Sequence, residues 1–529
     1  MSRQRHSKLK IAGAVCLSFM FLAGCKSLMI GSEEPTISGI APAGLSPTDS
    51  VEREIGAKEH PKIIKAYGGT YENRQLEQMV SKLVGRLVAA SSEPSRPYRV
   101  TILNSPTVNA FALPGGYLYV TRGLIALAND KAELAAVLAH EMAHVTSRHA
   151  LARAAARQNS ELVNKVMDNM VSEPSKGATV KARNLVTLAS FSQVQELEAD
   201  KIGIETSYLA GLDPFAASRF LETMGLYAQY LTGRSEDGNK ASFLSSHPTT
   251  PERIKSAIFA ARRYGGPDIG TREREDYLDA IDGILFGDAP DEGFVRGHSY
   301  IHPSLRIRFS PPEGYRLENT SKAVLAVAPD GSAMRFDGVN VSPDVPLTKY
   351  LTSGWVSGLI TGSIREQTIN GHPAVLAAAE AKGWTFRVAL IRVGAATYRF
   401  VFATTEPNAE FESAIAETVN SFQTMTYEQA QAFKPLRISI VTAGYGDTVE
   451  KMAARMAGTD DQVALFRILN DVKQGENLKR GQKIKLVTTS QLSLPWPARD
   501  TPQAVIKNPG SGGHFRDFHK TNSPLRRRH

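Results

Sequence analysis

Residues 129–153 read NDKAELAAVLAHEMAHVTSRHALAR, and the fold of the chain turns on that stretch. Leu134, Val137, Leu138 and Met142 recur at three- and four-residue spacing, the apolar stripe of a helix, and Asp130 followed three positions later by Glu133 has the form of a capping box. Side chains four apart on a helix share a face about one turn apart. His140 and His144 therefore turn two imidazole nitrogens toward one point, with Glu141 beside it. Two histidine ligands and a neighbouring carboxylate that takes a proton from water are the elements of a zinc hydrolase. The five-residue pattern also arises by chance in amphipathic helices, so the rest of the chain must decide.

Downstream, a second helix is expected from Leu185 to Ala210, carrying Glu196, Glu198 and Asp200. Glu196 and Asp200 are four apart and share a face, while Glu198 points elsewhere. A catalytic zinc takes three protein ligands and an open position, so one carboxylate from this helix would complete a two-histidine, one-glutamate set, and Asp200, one turn on, is placed to hold a ligand histidine by its second ring nitrogen. The alternative is a solvated acidic face. His247 precedes a helix opened by Pro251, a residue suited to the first helical turn. His247 and Arg253 there would stabilise an oxyanion, or His247 would fill the open zinc position, or the segment is only a capping loop. Upstream, Tyr98–Leu103 and Tyr117–Thr121 read as strands around Asn109, Ala110, Phe111 and Ala112, which end in a Pro-Gly-Gly turn. That segment is either a plain core hairpin or an edge to which an extended substrate peptide adds.

A chain of 529 residues predicts about three domains. The net charge of +9 is not spread evenly: residues 1–25 carry +4 and the tail from 489 carries +5, so the body is near neutral and no nucleic-acid partner is expected. Cys16 and Cys25 are the only cysteines. A basic start, an apolar run from Ile11 to Leu22 and then Leu22-Ala23-Gly24-Cys25 resemble the signal peptide and lipobox of bacterial lipoproteins. The resemblance implies lipidation at Cys25. Lys26, where an Asp would favour the inner membrane, leans the anchor toward the periplasmic side of the outer membrane. Residues 26–50 read as a flexible tether, and no later apolar run is long enough to span a bilayer.

Four segments taken in order, Phe111-Ala-Leu-Pro-Gly-Gly, the run from His140 to His149, Glu196-Leu-Glu-Ala-Asp200 with Gly203, and Ser246 to Arg253, resemble the CaaX-prenyl-protease and HtpX-like zinc metallopeptidase family in its soluble periplasmic BepA-like branch. The likeness covers roughly residues 50–265. It implies one zinc per chain on His140, His144 and Glu196, Glu141 as general base, Asp200 behind a ligand, and His247 as a regulatory or transition-state residue. His149, nine residues from His140, falls half a turn round a continuing helix and off the ligand face.

The expected architecture is multidomain. A mainly α, gluzincin-type peptidase domain with a small sheet spans 51–287, followed by a linker at 288–304 and an α+β module at 305–426 that faintly resembles PsbP-type sandwiches. Gly446-Asp447-Thr448-Val449, Leu469-Asn470 and Leu478 to Leu486 resemble a LysM-like βααβ module over 436–488, and the tail from 489 to 529 reads as basic and disordered. The LysM likeness implies peptidoglycan as a partner. The functional expectation is a zinc endopeptidase acting on unfolded or misassembled envelope proteins. The alternative is a tethered chaperone or wall-binding adaptor with a latent metal site.

Overall fold

The structure is a computed structural model that describes residues 47–149, 191–233, 247–248, 250–320, 323–381 and 383–489. Cys25 and its lipobox, the tether as far as residue 46, residues 185–190 of the second expected helix and the basic tail from 490 lie outside the described residues.

The expected helical stretch from Val51 to Ala90 is two helices, α1 (Pro47–Ala66) and α2 (Arg74–Ala90), the second started by the Asn73 side chain accepting the Leu76 N–H. Strands β1 (Arg99–Leu103), β2 (Ala110–Leu113) and β3 (Tyr117–Thr121) form a sheet in the order β1-β3-β2, with β1 parallel and β2 antiparallel to β3. The order leaves β2 at an edge. After the short α3 (Arg122–Leu127), helix α4 (Lys131–Thr146) packs against β2 and is buried all round, from Ala132 to Val145. Asp130 caps it by accepting the Glu133 N–H, whereas the Glu133 carboxylate accepts from Asn129 N–H rather than from the cap itself. Among the described residues, helices α5 (Gln193–Leu209), α6 (Ala216–Gly233), α7 (Pro251–Arg262) and α8 (Arg274–Ile281) follow, with α5 laid along α4. Gly203 sets how closely they approach, since a Cβ there would sit 3.0 Å from the His140 backbone nitrogen.

Residues 288–304, expected as a linker, instead carry strands. β4 (Leu285–Phe286) precedes them, and β5 (Phe294–Arg296) and β6 (Ser299–His302) form a hairpin that continues onto β7 (Ile307–Phe309). The Asp, Pro and Gly content that suggested a linker marks only the turns, while Phe294, Tyr300 and Ile301 are buried. The α+β region then runs β8 (Arg316–Asn319), β9 (Val324–Val327), β10 (Ala333–Asn340), α9 (Leu347–Leu351), β11 (Arg365–Ile369), β12 (His372–Ala381), β13 (Trp384–Val393), β14 (Ala396–Thr404), α10 (Ala409–Ser421) and β15 (Gln423–Thr424). Seven of these strands form one sheet, β11-β12-β13-β14-β10-β9-β8, and β15 closes a second one, β15-β7-β6-β5. An aromatic core of Phe309, Phe336, Phe400, Phe411 and Phe422 lies between the sheets and α10.

Beyond α11 (Tyr427–Ala432), the C-terminal segment has the order β16 (Leu436–Thr442), α12 (Val449–Ala453), α13 (Gln462–Asn470), β17 (Lys483–Thr489). It does not have a core of its own. Ile438, Met452, Phe466, Leu469 and Leu486 belong to the same apolar cluster as Leu83, Leu124 and Leu138, and β16 pairs with β4 as well as with β17. Lys485 carries the join further: it is fully buried, and its Nζ donates to the carbonyls of Ala126, Leu127 and Ala128 at 2.8–3.1 Å. The peptidase segment expected at 51–287 and the module expected at 436–488 thus share one apolar cluster. The βααβ piece is too small to bury its own apolar face, and buries it on α3 and α6 instead.

Candidate metal centre

Helix α4 supplies His140 and His144, whose Nε2 atoms stand 3.0 Å apart. Helix α5, started by a Ser192–Gln195 capping box, brings Glu196, with its oxygens 3.5 Å from both. His247, three residues before the N-cap Thr250 of α7, places Nδ1 2.9 Å from Glu196 Oε1 and 3.3 Å from His140 Nε2. The four donor atoms lie within 4.8 Å of one another, and all four residues are buried. Ligands of a tetrahedral zinc at 2.0–2.1 Å stand about 3.3 Å apart, so the observed spacings fit that ion. Three buried carboxylates, Glu141, Glu196 and Asp200, surround the donors, and Arg253 pairs with the last two.

Around the donors, each polar group has a definite position. Asp200 Oδ1 lies 2.9 Å from His140 Nδ1, and Arg253 clamps both Asp200 oxygens at 2.8 Å while its Nη1 sits 2.7 Å from Glu196 Oε2. Arg253 is thus committed to the helix–helix contact, which removes it from the oxyanion role open to it on sequence alone. Glu141 Oε1 is buried, has no hydrogen-bond partner among the described residues, and faces His247 Nε2 at 3.5 Å. Burial raises the Glu141 carboxyl above its usual range, partly opposed by the histidines, which favours a group that takes up a proton. Burial opposes a charge on His140, but Asp200 and Glu196 lift it to about 10; for His144 burial prevails and holds it near 3. Burial would raise Glu196 and Asp200, but their histidine partners hold Glu196 well below the carboxylate range and, with Arg253, lower Asp200.

Of the four residues expected to line a substrate edge, Asn109 precedes β2 and is already tied to Thr121, whose backbone N–H donates to Asn109 O and whose Oγ1 accepts the Asn109 N–H. Ala110, Phe111 and Ala112 lie in β2 itself, where one side of the strand pairs with β3 and the other is the sheet edge. His149 is not among the four donors, but α4 does not continue to it: the helix ends at Thr146 and Arg148 turns left-handed at φ 53°, which brings His149 Nδ1 to 2.8 Å from His144 Nδ1.

Two histidines and a glutamate on α4, gathered with a glutamate from α5, are the donor types of a zinc metallopeptidase. Residues 71–258 match the model of Peptidase family M48, and this segment is an M48 peptidase domain. Over 250 residues the chain is 32% identical to a "Beta-barrel assembly-enhancing protease" of Yersinia pestis, covering 45% of this chain and 49% of that protein. Over 209 residues it is 30% identical to the "Mitochondrial metalloendopeptidase OMA1" of Schizosaccharomyces pombe, covering 39% and 59%. The chain spans about half the length of the curated relatives it matches. A solved structure of cyanobacterial PsbP from Synechocystis is 12% identical and covers 26% of this chain and 98% of that one, with a TM-score of 0.19.

Proposed function

We propose that the chain is a zinc-dependent endopeptidase that cleaves unfolded or misassembled envelope proteins from a lipid anchor on the periplasmic side of the outer membrane. The observation that carries the reading is the buried four-donor cluster with Glu141 beside it. The names of the bacterial relatives support an envelope-protein substrate, and the lipobox resemblance at Cys25 supports the anchor.

His140, His144 and Glu196 would hold zinc, with Asp200 orienting His140. Zinc at such a site supplies a Lewis acid that polarises the scissile carbonyl and makes water more acidic. Glu141 takes the proton from the attacking water and returns it to the leaving amine. An extended substrate adds to the free edge of β2 at Ala110–Leu113, its backbone bonds fixing register beside α4. His247, in the fourth donor position, closes the centre at rest.

The test is cleavage of an unfolded protein by the purified chain. Glu141→Gln should lower the rate by at least about 100-fold and keep its zinc, the size expected for loss of a general base; an undiminished rate would overturn the assignment. The second reading, a chaperone or wall-binding adaptor with a latent site, is favoured by the placement of His247 among the donors. In the same assay His247→Ala should raise cleavage; if neither wild type nor His247→Ala cleaves, the adaptor reading prevails.

A further inference from the structure

We infer that His149 is the positioning residue for the ligand His144, holding that ring through a relay that ends at Glu198. The inference rests on reading the cluster as a zinc centre. Both rings are buried, about 4% exposed, and meet edge-on with centroids 4.9 Å apart. Two imidazole nitrogens 2.8 Å apart must share one proton, one donating and the other accepting. His144 directs Nε2 at the donor cluster. That atom is available to a metal only if the ring proton sits on Nδ1, so His144 Nδ1–H donates and His149 Nδ1 accepts. The remaining proton of His149 is then on Nε2, 3.5 Å from Glu198 Oε2. Phe191 stacks on His144 with centroids 3.9 Å apart, so the ring is held in its plane by packing and about its axis by the hydrogen bond.

The two α4 ligands are therefore held differently. His140 faces a buried carboxylate locked by Arg253, whereas His144 faces a neutral ring backed by a carboxylate whose side chain is 52% exposed. Glu198, which points away from the donors, acquires a role through His149. Outer partners of this kind orient a metal-bound imidazole and raise its basicity, and their loss typically weakens metal binding 10–100-fold.

The experiment is zinc affinity of the full chain by chelator competition, with thermal unfolding recorded alongside. His149→Leu should bind zinc 10–100-fold more weakly. His149→Asn, whose Oδ1 falls near the position of Nδ1 and accepts the same hydrogen but has no group to pass on to Glu198, should lose no more affinity than Glu198→Ala. Glu198→Ala, at a half-exposed position that does not threaten folding, should show a smaller loss of up to about tenfold. The role of His149 is overturned if His149→Leu binds as tightly as wild type, or if His149→Asn binds as weakly as His149→Leu. Should His149→Leu fail to fold, an unchanged affinity of Glu198→Ala overturns the relay. A wild-type chain that takes up no zinc overturns the reading of the centre itself, and an active Glu141→Gln overturns the peptidase reading while leaving His149 in place.

Discussion

At the scale of single residues, burial decides which groups titrate in a useful range. His302, at the end of β6, is held near pKa 4 by burial, with Asp291 opposing, and its Nδ1 accepts the Leu305 N–H. An unfolded histidine titrates near 6.5, so as pH falls the unfolded chain takes up this proton first. Stability is accordingly lost between about pH 6.5 and pH 4, by up to about 3 kcal/mol in the full limit. Denaturant unfolding at pH 7 and pH 4.5 should show a larger loss for wild type than for His302→Asn, which keeps an acceptor without the titration; equal losses would contradict it. Single residues also mark what a sequence reading reaches. The positions of His140, His144, Glu196 and Asp200 on shared faces follow from a period of 3.6, because each helix is regular across them. His149 was not legible, because nothing in Ser147-Arg148 announces that the helix stops and the chain turns left-handed. The pairing of Arg253 with Asp200 joins residues 53 apart, and helical periodicity carries no information at that separation.

At the scale of elements, α5 is a single stripe in which Glu196, Asp200 and Gly203 follow at i, i+4 and i+7. The first faces the donors, the second holds His140, and the third lets the two backbones meet. Gly203→Ala would place a methyl 3.0 Å from His140 N and 3.2 Å from its Cα, forcing α5 outward by a few tenths of an ångström. The expected result is a chain that folds but binds zinc more weakly, since the shift separates Glu196 from the histidines. Chelator competition together with a thermal melt would check it, and an unaltered zinc affinity would count against the tight approach. Elements were legible where they are long and periodic, as in α2 and α10. Strands β5 and β6 were missed because three or four residues are too few to establish an alternation.

At the scale of the whole molecule, the C-terminal βααβ segment and the peptidase helices share one core, and Lys485 is the polar tie between them. Its ammonium is surrounded by three carbonyls at the end of α3, and burial pushes its pKa down. Lys485→Met leaves those three acceptors unsatisfied in the interior. A buried acceptor left without its donor costs about 1–3 kcal/mol, and denaturant unfolding should register a drop of at least that order. Lys483→Met, which removes only exposed pairs with Glu275 and Asp279, should behave nearly as wild type. A deletion of residues 436–529 would therefore damage the peptidase fold as well as any wall contact, so wall binding is better measured by co-sedimentation of the intact chain. The sequence order of the elements did not reveal this tie, because a lysine in an alternating strand reads as a solvated one.

The tie between Lys485 and the carbonyls of Ala126–Ala128 closes a loop of more than 350 residues. During synthesis, α3 and the start of the metal-bearing helix are made early, but the group that seals them emerges only near the end of the chain. A nascent or truncated polypeptide therefore carries the histidines and glutamates of the centre without the lysine that completes the wall behind them. Completion of the wall behind α3 is therefore expected to wait until the segment that carries Lys485 has been made, so a chain stopped short of that segment should leave the carbonyls of Ala126, Leu127 and Ala128 without their buried donor.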